Sequence, residues 1–133
     1  DSGEVTEVDL TTFRLGRRFT PGSGPQQLVV APNGNELWVA REYGALGVID
    51  LATGLLVNEV MAATGGFGLA LTPDGQQLYL TQPGLGKVTR VDLATRTVVG
   101  TLPTGGRPRR VGFSSNGTVA VITNEDGWVD LAK

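Results

Sequence analysis

The sequence predicts an all-β protein built from repeated sheets of four antiparallel strands. Three observations predict it: a repeat of marker motifs, short apolar runs inside each repeat, and turn residues between the runs. The 133 residues include 20 glycines and 7 prolines, which is a high share of turn-forming residues. Because 40% of the residues are hydrophobic and only 18% are charged, these residues indicate turns between packed strands and not a disordered chain.

Two marker motifs recur along the chain with nearly the same spacing. One is a Val/Ile-Asp-Leu motif and the other is an Asn/Asp-Gly turn. In each motif, the first two intervals between copies are 41 and 42 residues. The last interval of the first motif is 38 residues. The first motif begins at Val8, Ile49, Val91 and Val129, and the second begins at Asn33, Asp74 and Asn116. A fixed period of this length predicts a fold of stacked structural repeats.

One repeat contains four short apolar runs, at residues 68–72, 77–81, 88–93 and 97–102. Runs of this length are typical of strands and too short for helices. Turn residues separate the runs, and Pro73-Asp74-Gly75 is the clearest of these signals. We name the four predicted strands of a repeat A to D in chain order. Antiparallel units of four strands at this period predict the blades of a β-propeller.

The chain is predicted to be a single propeller segment over residues 1–133. It divides into a partial blade at 1–24, complete blades at 25–65 and 66–106, and a partial blade at 107–133, or about three blades in 13 strands. Propellers close with about 4–8 blades. We therefore expect either that two copies complete a six-bladed ring or that the chain belongs to a longer propeller.

In the two-copy arrangement, residues 14–20 would supply strand D to the last blade of the partner. Residues 4–10 and 128–131 both fit strand C, so one of them would be displaced or would add an extra edge strand.

Composition excludes several kinds of chemistry. The chain has no histidine and no cysteine, so it lacks histidine bases, thiolates and the commonest metal ligands. Lys and Arg number 11 against 13 Asp and Glu, which gives no electrostatic case for binding nucleic acid. No apolar run reaches the roughly 18 residues of a membrane span. We expect no cofactor, no metal and no membrane span.

Arginines mark the first candidate site, in the loop that joins strand D to the next strand A. Arg107, Arg109 and Arg110 form the densest basic cluster of the chain. Guanidinium groups bind carboxylates and phosphates through paired hydrogen bonds, so the cluster is a candidate anion site. The alternative is that these arginines pair with Glu125, Asp126 or solvent.

Arg41-Glu42-Tyr43 is the second candidate, in the loop between strands B and C. Tyr43 would stack on a ligand that Arg41 and Glu42 orient. The alternative is an exposed loop in which Arg41 and Glu42 pair with each other. In propellers the loops of both candidate sites share one face around the central channel.

Other recurring residues are expected to be structural. Trp38 and Tyr79 occupy matched positions in strand B, so we expect them to pack between blades. The aspartates of the Val/Ile-Asp-Leu motif are expected to hold turns. The segment 124–127 offers oxygen ligands for calcium but lacks the spacing of a calcium loop, so a simple turn is expected there.

The strand B sequences carry a resemblance to a known family. They read Trp38-Val39-Ala40-Arg41, Tyr79-Leu80-Thr81-Gln82 and Val121-Ile122-Thr123-Asn124, at one offset from the Asn/Asp-Gly turn. Together with Pro73-Asp74-Gly75 and Val91-Asp92-Leu93-Ala94-Thr95, this set resembles the tyrosine-valine-threonine-asparagine (YVTN) repeat family of β-propellers. The resemblance implies a propeller fold and a location in the periplasm, outside the cell or at the cell surface. Ser114 and Ser115 depart from the family pattern, since they stand where it has a proline-containing turn.

The sequence favours a non-catalytic binding module that holds an anionic small molecule, a peptide or a protein at the loop-rich face. One alternative is a propeller enzyme, such as a hydrolase, a lyase or a quinone-dependent oxidoreductase, with groups supplied by missing blades. Its candidate acids would be Glu42, Glu125 and Asp126. Another alternative is a purely structural domain of the surface-layer type.

Overall fold

The computed structural model describes residues 3–133, apart from the side chain of Ala62, and these residues form thirteen strands. The predicted partial blade at 1–24 begins with Asp1 and Ser2, which lie outside the described residues. The strands are β1 (Val5–Asp9), β2 (Arg14–Phe19), β3 (Pro25–Val30), β4 (Glu36–Arg41), β5 (Ala45–Asp50), β6 (Leu56–Thr64), β7 (Leu69–Leu71), β8 (Gln77–Gln82), β9 (Lys87–Asp92), β10 (Thr97–Pro103), β11 (Pro108–Phe113), β12 (Ala120–Asn124) and β13 (Trp128–Ala132).

The strands form four antiparallel sheets in which neighbours in the chain are neighbours in the sheet. The N-terminal sheet is β1-β2, the first sheet is β3-β4-β5-β6, the second is β7-β8-β9-β10 and the third is β11-β12-β13. The sheets remain separate and do not close on one another. This arrangement confirms the predicted all-β fold of four-stranded antiparallel blades.

Helical structure in the described part of the chain is limited to one 3₁₀ turn, Pro83–Leu85, between β8 and β9. No helix in that part is long and apolar enough to cross a membrane.

Aspartate side chains hold the turns between strands C and D. Asp50 Oδ1 accepts a hydrogen bond from the Thr53 amide, and Asp92 Oδ1 accepts one from the Thr95 amide, both at 2.8 Å. Asp9 Oδ1 accepts the corresponding hydrogen bond from the Thr12 amide at 2.7 Å. These amides lower the pKa of each aspartate because they stabilise the charged carboxylate. The predicted turn role is confirmed for these three residues. The fourth aspartate of the motif, Asp130, lies inside β13 and accepts instead from Trp128 Nε1 at 3.1 Å.

Aromatic side chains at matched positions fill the spaces between sheets. Trp38 of β4 is fully buried and belongs to a cluster with leucines of the second sheet, among them Leu69 and Leu80. Tyr79 of β8 meets Phe113 of β11 edge to face, with ring centroids 4.9 Å apart. Both residues therefore pack between blades, as their matched sequence positions predicted.

Candidate functional site

The first strands of three sheets, β3, β7 and β11, meet at one glutamine side chain. Gln27 Oε1, at the start of β3, accepts a hydrogen bond from the Leu69 amide of β7 at 3.3 Å. The same oxygen accepts a bond from Arg110 Nη1 of β11 at 2.5 Å. Because all three residues lie near the beginnings of their strands, the loops that precede these strands gather on one side of the molecule.

A buried polar side chain ends strand B in each of the three sheets, and we call this the latch position. Its occupants are Arg41, Gln82 and Asn124, and all three are buried. Each donates a hydrogen bond to a backbone carbonyl in or beside the loop that precedes its own sheet. The acceptors are the carbonyl oxygens of Pro21, Thr64 and Gly105, at 2.7, 2.6 and 2.9 Å respectively. The latch position therefore fixes each D–A loop to the end of strand B.

At the latch position, the side chain of Arg41 lies in the interior and does not line the groove described below. The residue is only 5% exposed, and its Nε donates to the Ala45 carbonyl at 2.5 Å. Its Nη2 forms an ion pair with Glu59. The alternative pairing of Arg41 with Glu42 does not occur, because Glu42 Oε2 accepts instead from Gln26 Nε2 at 2.7 Å. The geometry gives Arg41 a structural role.

Four of the six predicted binding residues do come together, around a groove of about 360 Å³ that we call the loop groove. They are Glu42 and Tyr43, from the B–C loop of the first sheet, and Arg107 and Arg109, at the entry to the third. The other lining residues are Gly65, Phe67, Pro83 and Gly84. The groove is therefore shared by loops from three neighbouring sheets.

Phe67 is the lining residue that sequence reasoning missed. The guanidinium carbon of Arg109 lies 4.4 Å from the centroid of its ring, and that of Arg110 lies 5.2 Å away. Such cation–π contacts hold a guanidinium plane against an aromatic face. The available signal was an aromatic side chain in a glycine-rich D–A loop, at a place where the other two D–A loops have none.

Acidic residues of the 124–127 turn pair with two of the arginines, as the alternative prediction had it. Arg107 Nε and Nη2 donate to Asp126 Oδ1 at 3.0 and 2.9 Å. This hydrogen bonding, together with the charge of Glu125, raises the pKa of Arg107 above its usual range. Arg109 Nε donates to Glu125 Oε2 at 2.5 Å. Within residues 3–133, no group of three or more acidic side chains is placed to hold a metal ion.

Two charged groups in the loop groove keep unused hydrogen-bonding capacity. The Nη1 and Nη2 atoms of Arg109 donate to none of the described residues, since only its Nε is engaged. Glu42 Oε1 likewise accepts from none of them, since the bond from Gln26 goes to Oε2. The groove thus offers a free guanidinium edge and a free carboxylate oxygen to a ligand.

Comparison with known proteins identifies the fold of the chain but does not assign it to a family. No known protein family matches the chain, and no curated protein matches it either. Among 785 matching chains of solved structures is the hydrazine synthase of Kuenenia stuttgartiensis, with a TM-score of 0.87 and 22% sequence identity. That protein contains β-propeller domains. The chain has a β-propeller fold.

The structural match covers 97% of this chain but only 39% of the hydrazine synthase chain. The propeller blades described above therefore correspond to about two fifths of that chain. At 22% identity the likeness concerns the fold alone.

Proposed function

We propose that this propeller is a non-catalytic binding module whose loop groove holds a small ligand through an anionic group. The observation that carries the proposal is the state of Arg109. Its ring contact with Phe67 and its bond to Glu125 fix the guanidinium plane, while both Nη groups stay free of described partners. A pre-oriented guanidinium edge of this kind forms paired hydrogen bonds with a carboxylate or a phosphate.

The chemistry of the groove supports binding over catalysis. The chain has no histidine or cysteine to act as a base or a nucleophile. Of the candidate acids, Glu125 and Asp126 are engaged by Arg109 and Arg107. The remaining acid, Glu42, has no second carboxylate beside it among the groove-lining residues. A pair of acids poised for acid–base work is therefore not part of the described groove.

The size of the groove narrows the ligand class. Its volume of about 360 Å³ lies near the lower limit of ligand pockets, which span roughly 300–1,000 Å³. A metabolite-sized molecule or the end of a peptide fits this space, whereas a folded protein would contact only its rim.

Calorimetric titration with succinate and with inorganic phosphate tests the proposal. We expect Arg109→Ala to weaken binding of the preferred anion by about tenfold or more, because charge-assisted hydrogen bonds are lost. Arg109→Lys should restore only part of it, since lysine lacks the planar fork. Arg18→Ala is the matched control, as Arg18 is an exposed arginine of β2 outside the groove. Equal affinity in Arg109→Ala and the unaltered protein would contradict the proposal.

We also propose that a second copy of the chain completes a six-bladed ring. Leu28 and Val30 of β3 are 42% and 49% exposed and face a space of about 730 Å³ between the first sheet and β1-β2. On the third sheet, Val129 and Leu131 of β13 are also exposed. Packing of one copy against the other would cover apolar surface of this kind.

Light scattering of the purified protein tests the ring. A mass near twice 13.9 kDa supports the two-copy ring, and a folded protein at 13.9 kDa contradicts it. In the second case the blades would instead belong to a longer propeller.

We propose further that the chain is a YVTN-type propeller that acts in the periplasm, outside the cell or at the cell surface. The support is the strand B pattern, whose fourth residue fills the latch position in all three sheets. Cell fractionation with antibody detection tests the location, and recovery with the cytoplasmic fraction would contradict it.

A further inference from the structure

The loop groove combines two free groups of opposite charge with aromatic walls. Arg109 offers its Nη atoms, and Glu42 offers Oε1. Tyr43, Phe67 and Pro83 line the same space. A ligand that meets both charged groups with charge-assisted hydrogen bonds carries an anion and a cation, and the walls favour an apolar body.

The balance of charges around the groove also favours a ligand that carries both charges. Three arginines, at positions 107, 109 and 110, stand against three acids, at positions 42, 125 and 126. Two of these acids already neutralise Arg107 and Arg109 in part. Because the summed charge of these side chains is close to zero, a polyanion gains little long-range attraction here. A ligand whose own charges balance is favoured over one that is only negative.

Tyr43 is placed to contact the body of such a ligand. Its ring lies against Gly24, where an added Cβ would come within 2.8 Å of a ring carbon. The ring contacts Gly24 on one side, while 72% of the residue remains exposed. An accessible aromatic ring provides a stacking surface for the body of a ligand.

We propose that the ligand is a zwitterion with an aromatic or apolar body, such as an aromatic amino acid or a short peptide that contains one. Its carboxylate binds the Nη edge of Arg109, its ammonium group donates to Glu42 Oε1, and its body packs on Tyr43. This inference rests on the proposed binding function, since it uses the same groove and the same arginine.

The test compares probes that share one aromatic body and differ in charge. They are 3-phenylpropionate (anion only), 2-phenylethylamine (cation only), phenylalanine (both groups) and glycylphenylalanine (both groups, further apart). We expect one of the two zwitterions to bind at least about tenfold more tightly than either singly charged probe, because it gains a second charge-assisted contact. The tighter of the two zwitterions then reports the spacing between Glu42 and Arg109 in the bound state.

Variants separate this inference from the proposed function. Glu42→Gln should narrow the advantage of the zwitterion over 3-phenylpropionate, because the charge that pairs with the ammonium group is removed. Tyr43→Ala should weaken the binding of both the zwitterion and 3-phenylpropionate. Glu4→Gln serves as the control, since Glu4 lies outside the loop groove. If 3-phenylpropionate binds as tightly as both zwitterions and Arg109→Ala still weakens its binding, the bipolar ligand is wrong and the anion site stands. If only inorganic phosphate binds, the bipolar ligand is wrong and the anion site stands. If neither the carboxylate probes nor inorganic phosphate bind, or Arg109→Ala changes nothing, the proposed function fails as well.

Discussion

Arg110 Nη1 donates a hydrogen bond to Gln27 Oε1 at 2.5 Å, and this bond joins β3 of the first sheet to β11 of the third. The two residues are separated by 83 positions in the sequence and by a whole sheet in the fold. Since the same oxygen accepts from the Leu69 amide, one side chain links the first strands of three sheets.

Replacement of Gln27 tests this convergence. We expect Gln27→Ala to lower the free energy of unfolding by about 1–3 kcal/mol, because the Leu69 amide and the Arg110 guanidinium lose a shared acceptor. Urea denaturation measures the change. Gln76→Ala is the matched control in the exposed turn between β7 and β8, and it should shift stability by less than about 0.5 kcal/mol. Equal effects of the two variants would contradict a special role for Gln27.

Gly68 allows the second and third sheets to approach each other closely. A Cβ at this position would lie 2.2 Å from the Arg109 carbonyl oxygen and 2.8 Å from Thr81 Oγ1. We expect Gly68→Ala to destabilise the fold by about 3 kcal/mol or more, because a backbone atom must move. Thermal unfolding followed by circular dichroism measures this. An added Cβ on Gly112 of β11 meets no atom within 4 Å, so a loss of stability in Gly112→Ala as large as in Gly68→Ala would refute the explanation.

Gln82 occupies the latch position of the second sheet and is fully buried, so its hydrogen bonds should contribute to the stability of the fold. Its Nε2 donates to the Thr64 carbonyl at 2.6 Å, and its Oε1 accepts from the Thr89 hydroxyl. Gln82→Leu keeps most of the volume but removes both bonds, so we expect a loss of about 2–3 kcal/mol from unsatisfied polar groups. Chemical denaturation provides the measurement. Gln77→Leu, on the same strand, should have a much smaller effect, and a comparable loss there would argue against the latch.

Acid should weaken the turns that aspartates hold. The pKa values of Asp50 and Asp92 lie below the ordinary value of 3.8 in the folded state, chiefly because of the bonds from the Thr53 and Thr95 amides. Their contribution to stability is therefore present above about pH 4 and is lost as the pH falls through the lowered pKa values. We expect the melting temperature of the unaltered protein to fall below about pH 4.

The double variant Asp50→Asn, Asp92→Asn is the matched comparison for this acid effect. An asparagine side chain keeps an acceptor for the turn but does not titrate, so the melting temperature should depend less on pH between 4 and 3. Identical pH profiles for the two proteins would show that these turns do not contribute.

The strands were predictable from the sequence because their signals are local. Asn33-Gly34 and Pro73-Asp74-Gly75 mark turns through backbone conformation alone, and the repeat then fixes the strands between them. The burial of Trp38 was predictable for a similar reason, since a matched aromatic in a repeat has a shared packing role.

The candidate site was predictable only in part, because its geometry depends on contacts between loops that are distant in sequence. Glu42, Tyr43, Arg107 and Arg109 were identified from charge and loop position, and the groove brings them together. The sequence predicts Arg41 as a ligand residue because it stands next to Glu42 and Tyr43 in a predicted B–C loop. Its partners are instead two carbonyls and Glu59, which only the folded chain brings to it.

The latch position has a consequence for substitutions in the loops that it anchors. Its acceptor is always a main-chain carbonyl, and its donor is an arginine, a glutamine or an asparagine. Neither partner specifies the side chains carried by the anchored loop. Substitutions within each loop can therefore leave its anchor in place, which makes this face a scaffold for engineered recognition.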